Sequence, residues 1–135
     1  MRKHGEQVAQ QQLAGAIGLR DDCEAELKVA EQRAGGAHSG QRAASDRLLS
    51  ASELLSHQAW IERTELAQAS VADSLSRHER EVDRRRKALT AAARETKALD
   101  RLEARRRSDF ERAAARREAF ASDEIALNVF RGDAA

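Results

Sequence analysis

The sequence predicts an all-α protein, a long antiparallel two-helix coiled-coil hairpin whose second helix is longer than the first. Three observations carry that reading. Proline is absent from all 135 residues, so the strongest helix breaker is missing. Ala, Arg, Glu, Gln and Leu, all good helix formers, dominate the chain. Aromatic residues make up only 3% and charged residues 35%, with three Phe, one Trp and no Tyr. A compact core needs more large apolar side chains than this. Low hydrophobicity with high charge also marks disordered chains, but a net charge of +1 leaves little self-repulsion to hold the chain open.

The length allows a single domain over residues 1–135. Helix 1 is expected over residues 6–48. Within it Leu13, Ala16, Arg20, Cys23, Leu27, Ala30 and Ala34 alternate steps of three and four, which is a heptad seam. Gly15 and Gly18 weaken it. The cluster GGAHSG at residues 35–40 is the densest group of helix breakers, so irregular structure is expected there. Ser50 stands three residues before Glu53, the spacing of a capping box. The chain therefore reverses between Gly35 and Glu53.

Helix 2 is expected over residues 51–129, with a disordered tail at 130–135. From Ser52 onward nothing interrupts it, and at 1.5 Å per residue it spans roughly 115 Å. One seam line runs Leu54, Ile61, Gln68, Leu75, Val82, Leu89, Thr96, Glu103 and Phe110. The other runs His57, Thr64, Val71, His78, Arg85, Ala92, Leu99, Arg106, Ala113, Phe120 and Leu127. A strict seven-residue repeat gives left-handed supercoiling. Beyond Leu99 the seam admits charges, which a closed coiled coil must desolvate. Helix 1 is also too short to accompany the end of helix 2. The last thirty or so residues are therefore expected to be loosely paired or unpaired, supported by pairs such as Glu81–Arg85, Asp83–Lys87 and Glu103–Arg107.

The chemistry-bearing residues do not form an enzyme site. His4, His38, His57 and His78 include no pair at i, i+4, His4 and His38 falling in flexible stretches and His57 and His78 on the seam. No metal or cofactor is expected. There is no phosphate-binding loop and no nucleophile elbow, and Asp123 and Glu124 point in different directions on a helix. Cys23 is alone, compatible with a reducing compartment. No apolar run approaches a membrane span and the N-terminus lacks a secretory core, so a soluble cytoplasmic protein is expected.

The arginines leave three readings open. Residues 77–118 hold fifteen Lys or Arg and nine Asp or Glu. DRRRK at 83–87 and ARRR at 104–107 fit a solvated helix face, an acidic protein surface, or phosphates. Interleaved acids and the missing leucine zipper argue against a basic-zipper mode, and missing aromatics against single-strand binding. No nucleic acid is expected.

KALDRLEARRRSDFERAAARREAFASDEIA, residues 97–126, resembles the C-terminal signature of the flagellar export protein FliJ family. The matching positions are Lys97, Ala98, Leu99, Leu102, Arg105, Arg106, Arg107, Arg116, Arg117, Asp123, Glu124 and Ala126. The stretch SASELLSHQAWIERTELAQASVADSLSRHEREV, residues 50–82, is similar to the family's start of helix 2. Ser122, where the family usually has an apolar residue, and GGAHSG inside helix 1 are departures.

The resemblance implies a non-enzymatic cytoplasmic component of type III export, peripheral at the cytoplasmic face of the inner membrane. Its stalk-like coiled coil is expected to insert into the ring of the hexameric flagellar export ATPase (FliI-type) and promote its assembly and activity. It is also expected to contact the export gate protein (FlhA-type) and export chaperones. Carried onto matching positions, the ring contact falls on Leu99, Leu102, Arg105, Arg106, Arg107, Phe110, Arg116, Arg117 and Phe120. The gate contact falls on Leu66, Val71, Leu75 and His78, of which the last three also lie on the seam. An injectisome stalk and a generic structural tether remain alternatives at this point.

Overall fold

The computed structural model describes residues 2–47 and 49–134. Two helices account for nearly all of them: α1, Arg2–Ser45, and α2, Ala51–Asp133. With 44 and 83 residues, α2 is the longer. The chain divides into two compact units, Met1–Ala92 and Ala93–Ala135. The helix lengths explain this, because α1 can accompany only about its own length of α2.

The first unit is an antiparallel hairpin. Cross-helix contacts fix its direction: Gln12 meets Arg85, Cys23 meets the backbone of Val71, and His38 meets Glu65. Residue numbers rise along one helix as they fall along the other. The buried positions of α1 are Ala16, Cys23, Ala30, Ala34 and Ala37, and those of α2 are Ile61, Thr64 and Val82. Half-buried Glu6, Ala9, Leu13, Arg20, Leu27, Gln41 and Ala44 complete the α1 line at steps of three and four. This is the heptad seam written in the sequence, with small residues on one side and branched ones on the other.

That asymmetry decides where the stability lies. Burying an Ile or Val contributes about 1.5–3 kcal/mol, whereas a buried methyl contributes about 0.8 kcal/mol. The alanines chiefly allow close helix approach, and Ile61 and Val82 supply more of the apolar free energy. Thr64 stays on the seam because its hydroxyl donates to the Ile61 carbonyl at 2.9 Å. No buried side-chain polar atom among the described residues lacks a partner.

Two expectations are corrected. Residues 35–40 are helical, not irregular. Gly35, Gly36 and Gly40 all lie off the seam and are exposed, while Ala34 and Ala37 beside them are buried. Packing of those two offsets the roughly 1 kcal/mol that each Gly costs a helix. His38 accordingly sits on ordered helix, 2.8 Å from Glu65 Oε1. Residues 130–133 continue α2 in place of a disordered tail. The Ala134 amide donates to the Phe130 carbonyl at 3.1 Å, and Arg131 in the last turn complements the helix C-terminus. Ala135 lies outside the described residues.

The reversal falls between Ser45 and Ala51, and the capping box opens α2. The Ser50 amide donates to Glu53 Oε2 at 2.9 Å and the Glu53 amide to Ser50 Oγ at 3.2 Å. These bonds, the Ser50 amide first and its hydroxyl second, hold the Glu53 carboxyl below its usual range. A depressed carboxyl stabilises above its unfolded pKa and loses that contribution as pH falls through the folded one. Ser50→Ala is expected to cost about 1 kcal/mol. In thermal melts followed by circular dichroism, its deficit should shrink on acidification below the carboxylate range. A deficit unchanged at low pH would contradict a cap that depends on ionised Glu53.

Candidate interaction face

Residues 93–134 form the second unit's described part, and none of them is buried. A helix advances about 100° per residue, so Leu99, Leu102, Arg106, Phe110, Ala113, Arg117, Phe120 and Leu127 fall on one stripe about 100° wide. Phe110 and Phe120 are 72% and 73% exposed, and Leu102 and Leu127 are exposed as well. Arg105 and Arg116 border one edge of the stripe and Arg107 borders the other. The ring-contact residues expected from the sequence thus share one face or its margins, with large apolar groups alternating with guanidinium groups. An exposed apolar stripe of this kind marks a contact surface.

Sequence reasoning left Ile125, Val129 and Phe130 out of the site, although all are exposed large apolar residues on the same helix. IALNVF at 125–130 carries no charge, and that was the available signal. Of these three residues only Phe130 fell in the expected disordered tail; Ile125 and Val129 lie off the two written seam lines. Ile125 falls on the same margin of the stripe as Arg107, and Val129 lies further round the helix.

The residues expected from the resemblance at the export gate lie in the first unit and divide into two kinds. Leu66 is 72% exposed. Val71, Leu75 and His78 are half-buried on the seam, and the Val71 carbonyl accepts from Cys23 Sγ at 3.7 Å. The hairpin therefore brings Val71, Leu75 and His78 onto one line and leaves Leu66 outward.

The electrostatics separate the two units further. In the first, Glu81 binds Arg84 and Arg85 at 2.6 and 2.7 Å. The Arg84 hydrogen bond, before that of Arg85, holds the Glu81 carboxyl below its usual range. Asp83 lies 3.7 Å from Arg86, not paired with Lys87 as the sequence spacing had indicated. Among the described residues, Arg105, Arg106, Arg107, Arg116 and Arg117 make no ion pair. The basic groups of the hairpin are in part committed internally, and those beside the exposed stripe are available.

No group of three or more His, Cys, Asp or Glu among the described residues could hold a metal ion. Among the described residues no helix is long and apolar enough to cross a membrane.

An antiparallel two-helix hairpin, with the second helix longer than the first, defines an all-α coiled-coil protein. The model of the family described as flagellar FliJ protein matches residues 1–134, and the chain belongs to that family. Membership makes it a structural component of the flagellar export apparatus and favours flagellar over injectisome use. No curated protein and no solved structure matches the chain significantly.

Proposed function

We propose that the chain is the stalk of the flagellar export ATPase, and that the 99–127 stripe is the part that enters the ATPase ring. The observation that carries this reading is the row of exposed Leu and Phe side chains alternating with unpaired arginines. Such a face suits a wet, acid-lined protein pore. Leu99, Leu102, Phe110 and Phe120 supply apolar anchors, and Arg105, Arg106, Arg107, Arg116 and Arg117 meet ring carboxylates as charge-assisted hydrogen bonds. The chain acts by stabilising the assembled ring; hydrolysis belongs to the ATPase.

The hairpin then serves as the outward handle, at the cytoplasmic face of the inner membrane. It touches the export gate through Leu66, with Val71, Leu75 and His78 behind it, and it receives export chaperones. Leu66→Ala is the clean test of the gate contact, since an exposed Leu leaves the seam intact. It should weaken binding to the cytoplasmic part of the gate protein by about tenfold with an unchanged melting curve. Unchanged binding in a titration would remove Leu66 from the contact.

The ring reading is tested by adding the chain to the purified flagellar export ATPase of the same cell. ATP hydrolysis and light scattering are followed together. Stimulated hydrolysis with a rise in scattering from ring assembly is expected. Neither effect at micromolar concentrations would return the chain to a structural tether.

A further inference from the structure

The first unit carries an open apolar furrow between its helices, a cavity of about 350 Å³. Glu26, Val29 and Arg33 of α1 line one wall, and Trp60, Arg63 and Ala67 of α2 line the other. Trp60 and Val29 are 48% and 46% exposed, so two large apolar groups face water there. Neither Arg33 nor Arg63 makes an ion pair among the described residues. With Glu26 offsetting one of the two guanidinium groups, the rim stays net positive, so the furrow asks for a helix that brings bulky apolar groups and carboxylates placed at the two arginines.

The chain itself contains such a face. Phe120, Asp123, Glu124 and Leu127 stand at i, i+3, i+4 and i+7, the spacing that aligns side chains along one side of a helix. Phe120 and Leu127 are exposed, and Asp123 and Glu124 make no ion pair among the described residues. From 120 to 127 a helix advances about 10 Å, as it does from Trp60 to Ala67 along the furrow wall. Apolar content, charge and length all match.

We propose that the furrow docks the 120–127 face of a second copy of the chain. Phe120 and Leu127 of one copy cover Trp60 and Val29 of the other, and Asp123 and Glu124 meet Arg33 and Arg63. The contact is small, so the association is weak and reversible. Phe120 is also assigned above to the ring contact. Where that assignment holds, a chain docked on its own kind cannot enter the ring, and self-docking keeps a reserve of free stalk. The docking itself does not depend on the ring reading.

The chain's single tryptophan is the probe. Wild-type chain is held at low concentration and titrated with full-length Trp60→Phe chain, which carries the same 120–127 face and no tryptophan. A saturable blue shift of the Trp60 emission is expected. Adding Asp123→Lys and Glu124→Lys to the titrant should weaken the association by about tenfold or more. Pairing that titrant with an Arg33→Glu, Arg63→Glu receptor should restore it. Circular dichroism checks that all variants keep their helicity, as expected for exposed positions. The proposal is overturned by the absence of any shift, by a shift indifferent to the charges at 123 and 124, or by failure of the exchanged charges to restore binding. No ATPase is present, so this outcome and that of the ring test are independent.

Discussion

Ile61→Asp is expected to unfold the hairpin, with a loss of about 3 kcal/mol or more. Ile61 is 4% exposed and lies on the seam, and the nearby cross-helix pair His38–Glu65 sets it beside the buried α1 stretch of Ala34 and Ala37. Alanines cannot reach across to refill the space, and no seam cation stands in that stretch to pair with a new carboxylate. The milder Ile61→Val should cost about 1 kcal/mol. Thermal melts of the two variants by circular dichroism, at neutral pH and under acid, provide the check. The Asp variant should regain part of its stability under acid, because a buried carboxyl folds more readily when neutral. Near-wild-type melting of Ile61→Asp would mean that the seam does not hold the hairpin together.

The second large effect lies in the other unit and has the opposite signature. Phe110→Ala with Phe120→Ala should leave melting within about 0.5 kcal/mol, because exposed side chains far from packing contribute little to folding. The same pair should weaken ATPase binding by at least about thirtyfold, the loss of an aromatic hot spot. Charge reversal at Arg105, Arg106 and Arg107 should abolish stimulation of ATP hydrolysis and make the residual binding insensitive to salt. Binding isotherms at two salt concentrations, beside melting curves, separate the cases. Stimulation that survives the triple reversal would remove these arginines from the contact.

These contrasting signatures follow from how differently the two units could be read in the sequence. The seam was legible because a heptad is a local, repeating constraint: Ala16, Cys23, Ala30 and Ala34 on one helix, and Ile61, Thr64 and Val82 on the other, all fall on the written lines and are buried. Ser50 and Glu53 were legible for the same reason, since a capping box is complete within four residues. Ala37 was missed because three neighbouring glycines suggested a break, and only the partner helix shows that they lie off the packed face. His38 was set in a flexible stretch on the same ground, and its partner Glu65 is 27 residues away. The stripe from Leu99 to Leu127 follows from helical spacing alone. Its partner does not, because a docking face takes its meaning from a surface that the chain does not contain. Leu66 shows the limit most sharply: the sequence groups it with Val71, Leu75 and His78, yet only its outward position on α2 separates an exposed side chain from packed ones.

Amide hydrogen exchange of the full chain, with and without the export ATPase, tests the central claim most directly. Residues 93–133 are a stretch of α2 in which no side chain is buried, so their amides should open readily when free. The account predicts strong new protection over residues 99–127 on adding the ATPase, with the seam from Ala16 to Ala37 unchanged. Protection confined to the hairpin, or none at any residue while the two proteins are shown to bind, would contradict it.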